Sequence, residues 1–565
     1  MKKYIILLVI IYFGFTQKNN AQVQRYESEA IFLHTNETTF VTGETLLFKI
    51  YCLNANSKEL STISKIAYIE IKDPNGKTLS RNKITLNNGI GANEIFINTT
   101  FNTGNYKLIA YTNWMLNNSN SKYFETNIAI INPFLPFKNK ENNKQDTTLE
   151  IVKSDDANIK NDEVTIKLVK NNFSKREKVL FDVVSNSEKF TNGNYSISVR
   201  RIDGLTFGDN ISSKDFFNNH SDKFIYSNSI KHLPELRGEL LSGKLTTNDS
   251  SKTTKDKHLG LSAIGEPFDF KIVKTNNNGE FYFILDKEQK KSDVVLQVLE
   301  NEINDFQITI DPPAKVEVNT TFKNNLNFSE TSIKDVEARL VACQIVNAYS
   351  TKDSLAITSK NFIPFYNNNA TDYILDDYKR FSTFKETIIE IVPAVFFKEN
   401  EGDYSLHIRD YVTAGESFGS ALVLVDGMLL QDVNELFNYN TKNIYKISVV
   451  NKAYAYGSKI FSGLISITTF DREYNPKSKN ILPIQIERSN LDKAYHSTNY
   501  ETEKDFSRLP DFRYQLAWNT IVSLSKNTTP FHFFTSDIEG KYEISLEGFS
   551  AKGEPLSIKE YFEVN

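Results

Sequence analysis

The sequence has 565 residues, a formal net charge of -4, and 24% charged and 12% aromatic residues. A chain of this length accommodates roughly three to five domains, each with its own core. Its mildly acidic balance argues against nucleic acid or anionic lipid as the main partner.

The first 22 residues have the order of charge and hydropathy that is typical of a secretory signal peptide. Two lysines precede an apolar run at 4–15, a polar stretch follows, and cleavage is predicted near Ala21. The run is shorter than the roughly 20 residues that a membrane-spanning helix needs, and the next most apolar stretch, 388–397, is interrupted by Glu390 and a proline. We therefore predict an exported protein without a direct membrane span, located in the periplasm or associated with the outer membrane.

Residues 23–137 are predicted to form a β-sandwich, because short alternating strands are separated by turn residues. The phrases FLHTNETTFVTGETLLFKIY, IEIKDPNGK and TGNYKLIAYTNWM resemble the first domain of the macroglobulin-like proteins common in Bacteroidetes. The resemblance implies a macroglobulin-type fold with Tyr106, Tyr111 and Trp114 in its core. The polar stretch 138–162 is predicted to be a linker.

Two further sandwiches are predicted in the next part of the chain. Strand-like stretches up to Asp203 indicate a second sandwich, to which we assign residues 163–233. In residues 234–312, the pattern RG-x-L-x-x-G followed by TNNNGEFYF resembles a carboxypeptidase regulatory-like domain, a transthyretin-type sandwich that carries no active site in that family. Residues 313–370 are predicted to form a bridging strand and helix. One face of this helix is predicted to carry Ile333, Val336, Leu340 and Val341.

The C-terminal segment 476–565 again alternates apolar and polar residues between glycine-containing turns. We predict a closing immunoglobulin-like sandwich with Trp518, Phe533 and Tyr542 in its core. The fold class predicted for the whole chain is mainly β. It consists of tandem β-sandwich domains, macroglobulin/immunoglobulin-like and transthyretin-like, plus a small α+β domain.

That α+β domain is assigned to residues 371–475 and contains two local signals of defined structure. Thr383 and Glu386 form a capping-box pattern that predicts the start of a helix. Asp426 and Gly427 lie between two apolar runs, and Asp-Gly in that position is the strongest short-range signal for a β-hairpin.

The same domain resembles the plug domain of TonB-dependent receptors. The matching phrases, in the order of that family, are LHIRD, LVLVDGMLL, IYKISVV, YAYGS and SGLISITT. Asp410 and Ser462 replace residues that are usually glycine in the family, whereas Gly427, Gly457 and Gly463 are retained. The resemblance implies a structural or partner-docking role for Arg409, Asp426, Gly427, Tyr456, Gly457, Phe461 and Gly463.

A receptor of that family continues from its plug into a β-barrel of about 22 strands, each about 9 to 11 residues long. Such a barrel needs roughly 200 residues of strand, and 95 residues follow Phe470. We therefore expect a plug-like domain without a barrel of its own, and no energy-coupling segment near the start of the mature chain.

Motifs for catalysis or cofactor binding are missing from the sequence. The seven histidines are scattered without a close ligand pair, and no nucleophile elbow, P-loop or dinucleotide-binding fingerprint occurs. We predict no enzymatic activity, no cofactor and no metal. Cys52 and Cys343 lie in different predicted domains. An oxidising compartment would allow a disulfide between them, but two separate buried thiols are favoured.

The leading hypothesis is a non-enzymatic scaffold whose plug-like domain docks on or in an outer-membrane β-barrel protein of another chain. Such a scaffold would be a subunit of a transport, secretion or outer-membrane assembly complex. The alternative is a soluble surface or periplasmic adhesin-like binding protein. Exposed apolar loops at 455–461 would favour docking, and loops satisfied by the chain's own groups would favour the alternative. A macroglobulin-like protease inhibitor is disfavoured, because the thioester phrase Cys-Gly-Glu-Gln of that family is missing.

Overall fold

The structure is a computed structural model in which part of the chain is described. It describes residues 27–118, 123–136, 161–205, 207–208, 210–219, 230–285, 292–299, 305–322, 326, 329–349, 362–409, 420–477, 481–490, 493, 495, 497–501 and 509–565. The predicted signal peptide, most of the predicted linker, and Asp410 lie outside the described residues.

The first sandwich consists of two packed sheets. Its strands are β1 (Glu29–Thr35), β2 (Thr39–Val41), β3 (Thr45–Asn54), β4 (Ile66–Lys72), β5 (Thr78–Thr85), β6 (Ile90–Phe96), β7 (Gly104–Tyr111) and β8 (Phe124–Ile131). The sheets have the orders β1-β3-β6 and β2-β8-β7-β4-β5. Apolar side chains from both sheets form one continuous core between them, and Tyr106, Tyr111 and Trp114 are buried as predicted.

After the first sandwich the chain begins two further sheet pairs and then forms a long helix. The strands near the start of this part are β9 (Val164–Leu168), β10 (Asn172–Phe173), β11 (Lys178–Ser185) and β12 (Asn194–Arg201), followed by helix α1 (Ser213–Asn219). The next strands are β13 (Glu239–Thr247), β14 (His258–Ala263), β15 (Asp269–Lys274), β16 (Glu280–Leu285), β17 (Asp293–Val298) and β18 (Phe306–Ile310), followed by helix α2 (Glu330–Tyr349).

The plug-like module follows, and then the strands that end the chain. The module contains β19 (Thr371–Ile374), helix α3 (Phe384–Ile391), β20 (Val395–Asn400), β21 (Asp403–Ile408), β22 (Leu422–Val425), β23 (Met428–Leu429), helix α4 (Asn434–Phe437), β24 (Ile444–Val450), β25 (Tyr454–Tyr456), β26 (Lys459–Phe461) and β27 (Leu464–Thr469). The last strands are β28 (Leu482–Gln485), β29 (Gln515–Val522), β30 (Asn527–Phe534), β31 (Gly540–Phe549) and β32 (Pro555–Val564).

The second sandwich is built from two segments that are far apart in the sequence. Its sheets have the orders β10-β32-β31-β12-β29 and β30-β11-β9. Strand β12 lies between β29 and β31, and β11 lies between β9 and β30. The prediction of separate sandwiches at 163–233 and 476–565 is therefore wrong, since both contribute strands to one domain. Alternation along a strand shows which face is buried and not which strand lies beside it.

The third sandwich also takes a strand from beyond its predicted boundary. Its sheets have the orders β16-β13-β18 and β15-β14-β17-β28. Strand β28 follows the plug-like module and pairs antiparallel with β17, so part of the segment predicted as a C-terminal sandwich belongs here. The mainly β fold class with tandem sandwiches is confirmed. The plug-like module lies in the chain between β18 and β28 of this sandwich.

Helix α2 packs on the first sandwich through part of the predicted face, since Val336 and Leu340 contact the core there and the other two predicted residues do not. Ile333 and Val341 are 49% and 52% exposed, whereas Val336 is buried against the first sandwich. The buried face also contains Arg339, whose side chain is 1% exposed. A charged residue in the buried stripe contradicts the apolar pattern on which the prediction rested.

Arg339 connects the helix to both of the first two sandwiches. Its Nε and Nη2 donate to the two carboxylate oxygens of Asp203 at 2.5 and 2.8 Å, and its Nη1 donates to the carbonyl oxygen of Thr39 at 2.7 Å. Glu37 and Glu44 lie 3.4 and 3.5 Å away. Burial alone would raise the pKa of Asp203, but the Arg339 guanidinium outweighs burial and lowers it. Breaking a buried pair of this kind costs about 3–5 kcal/mol.

The two cysteines are free thiols, as favoured by the sequence. Cys52 is buried in β3, and Cys343 is half-buried on α2. The prediction of two separate thiols is confirmed, and the predicted burial holds for Cys52 but not for Cys343.

The contact between the first and second sandwiches buries polar groups beside the ring of Phe549, which packs on Phe32 and Tyr51. His34 Nδ1 lies 2.7 Å from Ser196 Oγ, and Lys49 Nζ donates to the Tyr195 carbonyl oxygen at 2.8 Å. The Glu547 carboxylate accepts from the backbone N–H of Ser213 at 2.9 Å. Burial, reinforced by Lys49, lowers the pKa of His34 to about 3, and burial raises the pKa of Glu547 to about 7. Both groups are therefore neutral in the folded protein over the range between these values.

We predict opposite pH dependences from these two groups. Stability that depends on neutral His34 is present above pH 6.5 and is lost as the pH falls towards 3. Stability that depends on neutral Glu547 is present below pH 4.5 and is lost as the pH rises through 7. Relative to the unchanged protein, His34→Gln should lose stability as the pH rises from 4.5 to 6.5, and Glu547→Gln should gain it. Urea unfolding across this range measures the difference, and parallel profiles for the two variants would contradict the prediction.

A second prediction tests the two-segment sandwich. Phe562 is 2% exposed and contacts Phe173 of the other segment edge-to-face, with ring centres 5.6 Å apart. Phe562→Ala should cost about 3–5 kcal/mol, because it removes a large side chain from a closed core. Ile521→Ala, at a residue that is 90% exposed, should stay within about 0.5 kcal/mol.

Hydrogen exchange of the Phe562→Ala variant should show weaker protection in both 164–201 and 515–564. Loss of protection confined to 515–564 would show that the two segments fold independently and would contradict the shared sandwich.

Candidate binding site at the junction of the plug-like module and the third sandwich

The plug-like sheet is covered on both faces by the chain itself. Its order is β19-β24-β27-β22-β23, with β22 and β27 parallel. Val423 and Val425 face a core that includes residues of α3, whereas Leu422 and Leu424 on the other face pack against side chains of the third sandwich. Because successive side chains point to opposite faces, burial of both faces explains the continuous apolar run at 421–425.

The predicted hairpin at Asp426 and Gly427 is confirmed, and it lies against the third sandwich. Leu424 pairs with Leu429 across the turn, and the two turn residues have φ values of 49° and 82°, as a two-residue type I′ turn requires. A Cβ added at Gly427 would lie 2.3 Å from the Cβ of Phe268. The glycine is therefore needed both for its positive φ and for the close approach of the two modules.

The Asp426 carboxylate is 4% exposed, and its hydrogen bonds fix the end of β27. It accepts from the backbone N–H of Thr469 at 2.8 Å, from the Thr469 hydroxyl at 2.6 Å and from the backbone N–H of Tyr474 at 3.1 Å. The Asp426 carbonyl oxygen accepts from the N–H of Gly265 in the third sandwich at 3.2 Å. Three donors compensate the burial of this charge, so Asp426 has a structural role.

The loop predicted to face a pore or a partner lies on the third sandwich instead. The Tyr456 hydroxyl donates to the Phe270 carbonyl oxygen, and the two rings stack with centres 5.5 Å apart. A Cβ at Gly457 would lie 2.5 Å from the carbonyl oxygen of Ile272. Phe461 is 4% exposed. These contacts cover one side of the loop, whereas Ala455, Ser458 and Ile460 stay exposed.

Gly463 and Arg409 are the two remaining residues of the predicted site, and they lie in different surroundings. A Cβ at Gly463 would lie 2.4 Å from the Val450 carbonyl oxygen, so this glycine permits close strand packing. Arg409 is exposed, and its guanidinium carbon lies 5.3 Å from the centre of the Phe396 ring. Arg409 therefore belongs to the surface of the β20-β21 hairpin. The other six predicted site residues lie within the module or at its contact with the third sandwich.

The predicted helix start before α3 is also confirmed. Thr383 and Glu386 exchange both hydrogen bonds of the capping box, which satisfies two backbone N–H groups at the start of the helix. The helix then buries Phe384, Ile388 and Ile391 in the core of the module.

Sequence reasoning missed a pocket beside the Asp426-Gly427 turn. It has a volume of about 170 Å³ and opens to solvent between the module and the third sandwich. Its lining comes from five separate stretches of the chain, so no local pattern could have indicated it. The lining residues are Gly265, Glu266, Phe268, Phe362, Pro364, Tyr366, Asn367, Asp426, Gly427, Tyr445, Lys446, Ser466, Thr468 and Arg472.

The polar groups of this pocket are arranged in pairs. Arg472 Nη1 lies 2.9 Å from Glu266 Oε2, and Lys446 Nζ lies 2.9 Å from Asp372 Oδ2. The Tyr366 hydroxyl donates to Ser466 Oγ at 2.8 Å, and burial raises the pKa of Tyr366 to about 12. Tyr366 therefore stays a neutral donor at physiological pH.

The described residues also bear on two other kinds of feature, a metal centre and a membrane span. No group of three or more His, Cys, Asp and Glu that could hold a metal ion occurs among them. Within the same part of the chain, no helix is long and apolar enough to cross a membrane.

No protein-family model matches the sequence, and no curated protein matches it. Among solved structures, the chain is similar to Escherichia coli α2-macroglobulin activated by porcine elastase, with 9% identity, a TM-score of 0.25, and coverage of 95% of this chain and 44% of that chain. Salmonella α2-macroglobulin reacted with methylamine gives 9% identity, a TM-score of 0.24, and coverage of 95% and 39%. The Yersinia pseudotuberculosis adhesin InvE gives 11% identity, a TM-score of 0.14, and coverage of 50% and 57%.

The chain thus spans less than half the length of either macroglobulin chain. At these TM-scores, none of the three structures bears on its function.

A third prediction tests the contact at the turn. Gly427→Ala adds a methyl group that collides with Phe268, whereas a Cβ at Gly402, in another turn of the module with a φ of 91°, meets no atom within 4 Å. Gly402→Ala should therefore cost only the backbone strain of the left-handed region, about 1–2 kcal/mol. Gly427→Ala should cost roughly 1–3 kcal/mol more. Thermal unfolding measures both, and equal costs would show that the two modules do not meet at this turn.

Proposed function

We propose that this chain is an exported, non-catalytic scaffold whose plug-like module docks on an outer-membrane β-barrel protein formed by another chain. The signal-like first 22 residues support export. The five phrases shared with receptor plug domains support a barrel as the class of partner. The chain would then be a subunit of a transport, secretion or outer-membrane assembly complex.

The observation that carries the proposal is the open hairpin β20-β21. Its two strands pair with each other, and within the described part of the chain neither outer edge pairs with a further strand. A Cβ at Gly402 in its turn would have no neighbour within 4 Å. An unpaired edge offers backbone N–H and C=O groups to a strand of another protein.

The side chains of this hairpin add recognition groups beside the open edge. The rings of Phe396 and His407 stack with centres 5.2 Å apart, and Arg409 lies over the Phe396 ring. Aromatic residues and arginine are enriched among the residues that dominate binding energy at protein interfaces. The proposed docking surface is thus the face formed by Phe396, His407 and Arg409, and it replaces the loop at 455–461.

The module is also preorganised for binding. The third sandwich covers one face of its sheet, and α3 with the inner side of the hairpin covers the other. A partner would therefore meet a surface that is already ordered, which lowers the entropic cost of association.

The second candidate is a soluble surface or periplasmic binding protein of the adhesin-like kind. The burial of Phe461 and the hydrogen bond of the Tyr456 hydroxyl favour it, because the loop at 455–461 is largely satisfied by its own chain. Ile460, at 52% exposed, is a large apolar side chain of this loop that stays accessible. A macroglobulin-like inhibitor has no comparable support in the described residues.

Affinity purification from detergent-solubilised membranes tests the two candidates. Docking predicts that the unchanged chain recovers one β-barrel protein, identified by mass spectrometry, and that the double variant Phe396→Ala, Arg409→Glu loses it. Lys526→Glu, which reverses an exposed charge paired with Glu188 of the second sandwich, should retain it. Recovery of no barrel protein by any variant, with the chain in the soluble fraction, would reject docking and support the second candidate.

A further inference from the structure

The pocket beside the Asp426-Gly427 turn has the features of a small-molecule site. It lies between two modules, where ligand sites occur preferentially, and it combines aromatic walls with a few convergent polar groups. We propose that it binds a free α-amino acid with an apolar side chain. The ligand carboxylate contacts Arg472, and the ligand ammonium contacts Glu266.

The ion pair at the mouth of the pocket supplies the two charges. Glu266 lies in the loop after β14 of the third sandwich, and Arg472 lies after β27 of the plug-like module. Their side chains are 42% and 36% exposed and lie 2.9 Å apart. An ion pair this exposed contributes little to stability. Glu266 and Arg472 can therefore separate and contact a ligand at low cost in free energy.

The remaining charged groups of the lining are already engaged. Lys446 pairs with Asp372 at 2.9 Å, and the Asp426 carboxylate accepts three hydrogen bonds from its own module. Glu266 and Arg472 are the most exposed charged groups of the lining, at 42% and 36% against 21% for Lys446. They supply one anion and one cation at the mouth, which selects a zwitterion over a simple anion or cation. A bidentate contact between a guanidinium and a carboxylate is among the stronger hydrogen-bonded pairs.

The walls of the pocket fit an apolar side chain. Phe268 and Phe362 meet edge-to-face with ring centres 4.9 Å apart, and Tyr366 stacks on Phe268 with ring centres 6.4 Å apart. Phe268 and Tyr366 are buried, whereas Phe362 is half-buried. The volume of about 170 Å³ is below the roughly 300–1,000 Å³ of sites for drug-sized ligands, so one amino acid fits better than a peptide.

Titration of the full chain with three probes tests the proposal. L-phenylalanine carries both charges, 3-phenylpropionate lacks the ammonium, and phenethylamine lacks the carboxylate. We expect saturable binding of L-phenylalanine by calorimetry or NMR, and binding of each analogue that is weaker by about tenfold or more, since each analogue loses one charge-assisted hydrogen bond.

Single substitutions test which residue contacts the ligand carboxylate and which contacts the ligand ammonium. Arg472→Gln should weaken L-phenylalanine binding about tenfold and remove the preference over phenethylamine. Glu266→Gln should remove the preference over 3-phenylpropionate. Lys526→Gln, in an exposed pair of the second sandwich, is the matched control and should bind normally. Phe362→Trp enlarges a side chain of the lining without altering a charge and should weaken binding of all three probes.

Three results would overturn the proposal. These are the absence of saturable L-phenylalanine binding, equal binding of L-phenylalanine and 3-phenylpropionate, and unchanged binding by the Arg472→Gln variant with an unchanged thermal midpoint. None of these results depends on a barrel partner. A negative result here would therefore reject the amino-acid site without rejecting docking, and a negative pull-down would reject docking without rejecting the site.

Discussion

The structure depends on one constraint of strand pairing, the closure of the second sandwich by strands from two distant segments. Strand β12 has β31 on one side and β29 on the other, so the chain leaves this sandwich after residue 201 and must return to it at residue 515. The third sandwich, helix α2 and the plug-like module all lie between these points. A second closure of the same kind occurs within the first, since β28 returns to the third sandwich after the module. Each returning strand therefore fixes both ends of the chain segment that lies between it and the earlier strands of the same sandwich.

The buried charges around Arg339 add a second tie between the enclosed part and the sandwiches. Helix α2 contributes Arg339, the second sandwich contributes Asp203 and Arg200, and the first contributes Glu37 and Glu44. Three carboxylates face two guanidinium groups, so loss of either guanidinium group would leave more negative charge uncompensated. Burying these charges costs free energy. The bidentate contact of Arg339 with Asp203 and its hydrogen bond to the Thr39 carbonyl oxygen offset that cost. Both contacts require the helix to lie in one defined position.

The same closure changes the meaning of the plug-like resemblance. In isolation, the phrases around Asp426 and Tyr456 indicate loops that face a pore. In the folded chain, Gly427 and Gly457 allow those loops to approach Phe268 and Ile272. The third sandwich therefore covers part of the surface on which the first docking hypothesis was based. The docking proposed above uses another surface, the open β20-β21 hairpin. The junction itself leaves a small pocket whose mouth is shared by the two modules.

The sequence by itself determined the features that depend on neighbouring residues. These include the β class of the sandwiches, the type I′ hairpin at Asp426 and Gly427, the capping box at Thr383, and the burial of Trp518 and Tyr542. Only the tertiary structure decided that the two predicted sandwiches are one, that Arg339 is buried on α2, and that Glu266 meets Arg472. The physical reason is that alternation and turn chemistry are local, whereas the neighbour of a strand or of a buried charge is chosen by the packing of segments hundreds of residues apart.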